Sequence, residues 1–186
     1  ISVHHHHRYP GLRHMMPILR RWRDHLHQNG CDLVLATTLR EPLSRLVSLI
    51  SYNQIPIITF RDYVRGFWES QVRYLLYNFC SSHPQGVNPP AECDAAYKSR
   101  VHPDSSEIEE VLGYLSEFDL VMRTEDMADF LAVSEQKTGW GSYHVNSTTG
   151  HVNKSKRRYN ITEDMQKLMI DNLQDDYKLW EKALER

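Results

Sequence analysis

The residues best placed to do chemistry are an arginine and a serine eight positions apart, Arg40 and Ser48. They lie in the stretch Thr38-Leu39-Arg40-Glu41-Pro42-Leu43-Ser44-Arg45-Leu46-Val47-Ser48-Leu49-Ile50-Ser51-Tyr52. A guanidinium presents a planar fork of donors that matches phosphate oxygens, and a hydroxyl can donate to the same anion. To act together, the two groups must be held on one side of a scaffold. Asp32-Leu33-Val34-Leu35-Ala36-Thr37 is a short apolar run of the kind a buried strand makes, and Pro42 has the φ of a first helical turn. The chain therefore reads strand, tight turn, helix. Arg40 then falls at the carboxyl end of the strand, where open α/β sheets bind ligands, and Ser48 falls about two turns along the helix on the face of Ser44. A blander reading pairs Arg40 and Arg45 with acids on a solvated face, and charged hydrogen bonds of about 1.5–3 kcal/mol serve either purpose.

The string Arg40-x-Pro42-x-x-Arg45-x-x-Ser48-x-x-x-Tyr52 resembles the 3′-phosphate-binding motif of sulfotransferases that use 3′-phosphoadenosine 5′-phosphosulfate (PAPS). The likeness is to the Golgi carbohydrate enzymes similar to heparan sulfate 2-O-sulfotransferase. It implies that Arg40 and Ser48 hold the 3′-phosphate. It also implies an α/β fold: a truncated, P-loop-like, three-layer sulfotransferase domain over residues 1–186, with a small parallel sheet flanked by helices. A second block similar to the family runs from Phe118 to Trp140, with Thr124-Glu125 after a short strand and Gly139-Trp140 after the following helix. In the resembling enzymes a loop before the C-terminal helix folds over the nucleotide with an Asn-Lys-Ser pattern. Lys154 and Ser155 inherit that role, and a glycan on Asn153 would then obstruct the nucleotide. Gln71, Arg73 and Asn78 lie on a helix that the resemblance brings near the acceptor, which makes them candidate sugar contacts.

Four consecutive histidines, His4 to His7, follow Ile1-Ser2-Val3. A purification tag is one reading. A metal site is another, although consecutive side chains alternate in direction and cannot all face one ion. The third is catalytic, because a base with a pKa near neutrality suits removal of a hydroxyl proton. The resembling family places such a histidine just after a strand at this point, which selects His4 first and His6 second.

Composition narrows the classes. With 186 residues, 40% hydrophobic and 25% charged, the chain is globular and near the size of one domain. A net charge of −2 gives no global field toward nucleic acid, so any basic site must be local. No run of about 20 apolar residues is present, and the first residues do not read as a signal peptide. A start at Ile1 suggests a piece of a longer polypeptide. Three cysteines, Cys31, Cys80 and Cys93, lack metal-ligand spacing. A bridge between Cys80 and Cys93 would close the Pro- and Gly-rich loop between them, and Cys31 reads as a buried thiol. The sequons at Asn146, Asn153 and Asn160 point, like such a bridge, to a lumenal protein.

The remaining elements follow from periodicity. Pro17 to Asn29 reads as a helix with Ile18, Leu19, Trp22 and Leu26 on one face, a stop at Asn29-Gly30, and Arg20, Arg21 and Arg23 as a solvated face or an acceptor patch. A long helical pattern runs from Phe60 to Phe79. Ser81 to Pro103 reads as a loop. Ser106-Glu107-Ile108-Glu109 reads as a capping box opening a helix to Leu115, and Phe118 to Met122 as a second buried strand. A helix from Glu125 to Val133 follows. Thr162 caps a last helix whose face is Met165, Leu168, Leu173, Tyr177, Trp180 and Leu184. The basic run Lys154, Lys156, Arg157 and Arg158 suits solvent or an anionic sugar polymer.

No Gly-rich phosphate loop occurs, nor the Lys-containing Ser/Thr loop that in the family cradles the 5′-phosphosulfate. The resemblance therefore implies the later part of such a domain. It implies sulfuryl transfer from PAPS to a carbohydrate hydroxyl, on a glycan or glycosaminoglycan, with no metal and no nucleic acid. It implies, too, localisation to the Golgi lumen, as part of a type II membrane protein whose membrane segment lies outside these residues. The rival readings are a non-catalytic nucleotide- or glycan-binding module and a histidine-rich metal-binding protein.

Overall fold

The computed structural model describes residues 11–52, 54–65, 71–77, 102–139 and 160–185. They fall into two compact units, each built from two stretches of chain: Ile1–Leu33 with Gly66–Glu117, and Val34–Arg65 with Phe118–Arg186.

Among its described residues the first unit is helical. Helix α1 (Leu12–Gln28) begins five residues before the expected start and carries Pro17 inside it. Pro17 cannot donate to the Arg13 carbonyl, a lapse that costs about 3 kcal/mol in an isolated helix. Burial of Leu12 and Met16, one turn apart on the inner face, outweighs it. The expected stop holds: Gly30 lies at φ +71°, its amide donates to the His27 carbonyl, and the Cys31 amide donates to the Leu26 carbonyl. This is the paired C-terminal closure that a left-handed glycine permits. It leaves Cys31 exposed, against the expectation of a buried thiol.

Against α1 pack a helix at Gln71–Tyr77 and another at Ser105–Leu115. The latter has its capping box two residues earlier than expected. Asp104 accepts from the Glu107 amide at 2.9 Å, and Glu107 reaches back to the Asp104 amide. Pro103 and Ile108, both buried, flank this start as a hydrophobic staple would, which explains the shift. Ile108, Val111, Leu112 and Leu115 point inward as the spacing requires. Arg13 bonds Glu110 and Arg20 bonds Glu117, each pair 97 positions apart. Glu117 lies just past the end of the second helix, and a step of seven residues along both stretches preserves the pairing, so the two helices run side by side in the same direction.

The second unit contains the sheet: β1 (Ala36–Leu39) and β2 (Leu120–Arg123), parallel, with Ala36 opposite Leu120 and Leu39 opposite Arg123. Both strands sit further along the chain than the apolar runs suggested. Leu33 and Val34 lead into β1 without pairing, because the ladder begins where Asp119 ties off Leu35. After β1 comes α2 (Pro42–Tyr52), with Pro42 first as expected and Leu46 and Ile50 fully buried. A short 3-10 turn at Ile57–Thr59 leads to α3 (Phe60–Arg65). The helical pattern read from Phe60 to Phe79 is thus shared by two described helices that belong to different units. Numbering on through the first unit, the helix at Gln71–Tyr77 is α4 and that at Ser105–Leu115 is α5.

A 3-10 turn at Thr124–Asp126 separates β2 from α6 (Met127–Thr138), which starts later and ends later than read. Gly139 closes it at φ +66°. Thr162 caps α7 (Glu163–Asn172), its hydroxyl accepting from the Met165 amide at 3.3 Å. The single last helix of the sequence reading is two, because α8 (Gln174–Leu184) starts anew after Leu173. The Asn172 and Gln174 side-chain amides take the Leu168 and Ile170 carbonyls, competing with the backbone ladder. Asp175 and Asp176 then sit in the first turn of α8, where acids suit the helix dipole. Leu173 is buried at the break. Helices α6 and α8 pack on β2, and α2 packs on α7 and α8, giving an α/β arrangement around a two-stranded parallel sheet.

Candidate functional site

The carboxyl ends of β1 and β2 lie side by side, Leu39 against Arg123. The turn Arg40-Glu41 therefore leaves the sheet beside Thr124-Glu125. Arg40 is half-buried at the end of β1, and Ser44 and Ser48 follow on one face of α2. This is the placement expected of them. Tyr52, the last residue of the motif, is exposed at the end of α2.

Glu41, which the sequence reading passed over, is the most heavily bonded side chain of the turn. Its carbonyl accepts from the Arg45 amide at 2.9 Å, and its carboxylate accepts from the Leu43 and Ser44 amides at 3.1 and 2.6 Å. It is the N-cap of α2. The Tyr177 hydroxyl, from α8, donates to the same carboxylate. Burial pushes the Glu41 carboxyl up, but the bonds from Tyr177, Ser44 and Leu43 outweigh it and hold the group below the usual carboxylate range. Burial and the neighbouring carboxylate both raise the Tyr177 phenol, so it stays protonated and donating.

Two consequences bear on anion binding. The N-terminal amides of α2 already carry an acid of the chain's own, so a phosphate at this site must be held by side chains rather than by the helix end. Ser48 lies one turn beyond Ser44 on the same face, past the amides that Glu41 ties down, and so carries the hydroxyl of that face that lies clear of the cap. An acid just before Pro42 is a readable capping signal; the partner Tyr177, 136 positions away, has none.

The second strand adds to the same edge. The Glu41 amide points to the Glu125 carboxylate at 3.4 Å. Arg123 lies with its guanidinium carbon 5.0 Å from the centre of the Trp180 ring, a cation–π geometry that holds α8 against the strand end. Tyr177 and Trp180, three apart on α8, thus both grip the carboxyl edge of the sheet.

In the helical unit, Gln71 and Arg73 have structural employment. Gln71 is 5% exposed. Arg73 donates to the His102 carbonyl at 3.5 Å and lies 3.6 Å from the Glu107 carboxylate, with both side chains largely buried. Its charge is thus directed at the acid of the α5 capping box. Of the basic face on α1, Arg20 bonds the Glu117 carboxylate and Arg23 the Glu117 carbonyl, which favours the plain surface reading over an acceptor patch.

His4, His6, Asn78, Lys154 and Ser155 lie outside the described residues, as do Cys80, Cys93 and Trp140. Among the described residues no group of three or more His, Cys, Asp or Glu could hold a metal ion, and no helix is long and apolar enough to cross a membrane. Comparison with protein-family models, with curated proteins and with solved structures finds no match.

Proposed function

We propose that the chain is a sulfotransferase-like domain that transfers a sulfuryl group from PAPS to a carbohydrate hydroxyl, on a glycan or glycosaminoglycan in the Golgi lumen. The observation that carries the reading is the strand–turn–helix at Leu39-Arg40-Glu41-Pro42, which sets Arg40 at the carboxyl end of a parallel strand and Ser48 on the helix that follows. The Thr124-Glu125 turn at the end of the neighbouring strand supports it, since the resembling enzymes have such a turn there.

In this scheme Arg40 and Ser48 bind the 3′-phosphate, and Lys154 and Ser155 touch the phosphates from the loop before α7. A histidine, His4 or His6, takes the proton of the acceptor hydroxyl. The acceptor oxygen bonds to sulfur as the bond from sulfur to the 5′-phosphate oxygen breaks, and adenosine 3′,5′-bisphosphate leaves with the electron pair. A base of this type contributes about 10²–10⁴-fold.

The test is calorimetric. Arg40→Ala should weaken binding of adenosine 3′,5′-bisphosphate by about tenfold or more, the worth of one charged hydrogen bond. Unchanged affinity removes the anchor of the reading. Binding without transfer of labelled sulfate to desulfated glycosaminoglycan would instead favour a non-catalytic nucleotide- or glycan-binding module.

A further inference from the structure

The Arg40-Glu41 turn is held from three directions. Pro42 sets the backbone at the start of α2. Glu125, after β2, faces the Glu41 amide. Tyr177, from α8, donates its hydroxyl to the Glu41 carboxylate, which in turn ties down the amides of Leu43 and Ser44.

Only the last of these reaches the turn from a helix remote in sequence. The Arg123–Trp180 stack seats α8 on the strand end, and Tyr177, one turn earlier on α8, completes the grip. A residue one peptide from a clamped cap has little freedom to swing its backbone, so the origin of the Arg40 side chain is set by a bond made elsewhere.

We infer that Tyr177 is a positioning residue for anion recognition: through Glu41 it fixes the turn from which Arg40 reaches a ribose 3′-phosphate. The inference rests on the functional reading above and assigns that site a determinant from the last helix. Tyr177 itself touches no ligand in this scheme. The phenol is suited to the task because, held neutral by burial, it donates to a carboxylate without adding a charge beside the phosphate.

The experiment measures the affinity of the 186-residue chain for two probes, adenosine 3′,5′-bisphosphate and adenosine 5′-monophosphate, whose ratio isolates the 3′-phosphate. Tyr177→Phe is expected to lower that ratio by about fivefold or more while leaving the monophosphate affinity in place. A merely structural loss would weaken both probes together or lower only the melting temperature. Glu41→Ala is expected to lower the ratio as well, and the double variant Tyr177→Phe/Glu41→Ala to do no worse than Glu41→Ala, since both remove one bond. A ratio unchanged in Tyr177→Phe, or losses in the two variants that add, overturns the inference and leaves the functional reading standing. A wild-type chain with no preference for the bisphosphate overturns both.

Discussion

Leu35 and Asp119 are joined twice: the Leu35 amide donates to the Asp119 carboxylate at 2.8 Å, and the Asp119 amide donates to the Leu35 carbonyl at 2.8 Å. The Leu120 amide adds a longer bond to the same carbonyl. This clasp stands immediately ahead of the ladder, one residue before Ala36 pairs with Leu120, and so sets the register that brings the two strand ends together.

Breaking the clasp should be costly for a surface change. Asp119→Ala leaves the amide of the buried Leu35 without its partner, a loss of about 1–3 kcal/mol. Asp119→Asn, which retains an acceptor oxygen, should cost less. Urea unfolding of the two variants decides it, and equal midpoints for Asp119→Ala and wild type would refute the role.

Stability should fall at both ends of the pH range, for separate reasons. Glu110 and Glu117, bonded to Arg13 and Arg20, and Glu41 under its cap bonds, all titrate below their ordinary range. Groups depressed in this way contribute stability above the unfolded carboxylate value of about 4, and the contribution is lost as pH falls through their folded values. Tyr177 is raised, so its contribution is present below about 10 and is lost as pH rises further. Melting curves from mildly acidic to strongly alkaline buffer should show a steeper alkaline loss in wild type than in Tyr177→Phe. Superimposable alkaline limbs would exclude Tyr177 as its source.

The Arg13–Glu110 pair is two-pronged and partly screened by solvent, with 30% and 28% of the side chains exposed. A double-mutant cycle on Arg13→Ala and Glu110→Ala should return a coupling of about 0.5–1 kcal/mol, diminishing in high salt. Coupling that does not change between low and high salt would point to packing rather than charge.

Gly30 has open space around it, so an added methyl meets nothing and only the backbone objects. Gly30→Ala at φ +71° should destabilise the chain by about 1 kcal/mol. A gain in stability would mean that the end of α1 rearranges.

Much of the scaffold was legible because its signals are local. Pro42, Thr162 and the Asn29-Gly30 stop each act on the residues beside them, and the structure uses all three as read. Pro17 and Ser106 misled for a common reason. Each marks a boundary by local preference, and in each case burial of nearby apolar residues moved the boundary: Leu12 and Met16 carried α1 back past Pro17, and Pro103 and Ile108 carried the α5 cap back to Asp104. Leu173 misled differently, since its place on a continuous apolar face hid the break between α7 and α8. At the candidate site, the placement of Arg40 at a strand end and of Ser48 on the helix that follows was legible from spacing. Tyr177 could not be, because a hydrogen bond across 136 positions leaves no periodicity. Gln71 and Arg73 were candidate sugar contacts through the resemblance alone, and the burial of Gln71 and the bonds of Arg73 to His102 and Glu107 had no signal in the sequence, because a polar residue on a helix looks the same whether it meets sugar, solvent or a neighbouring carboxylate.

The two units interleave along the chain, and this governs the order in which they can be finished during synthesis. The helical unit needs residues up to Glu117 and the sheet unit needs α8. While the ribosome is still adding Phe118 onward, β1 and α2 have left the exit tunnel with neither the second strand nor Tyr177 to close against. Nascent β1 therefore spends that interval with an unpaired edge, the state in which a chaperone has most to offer, and no single proteolytic cut can release either unit whole.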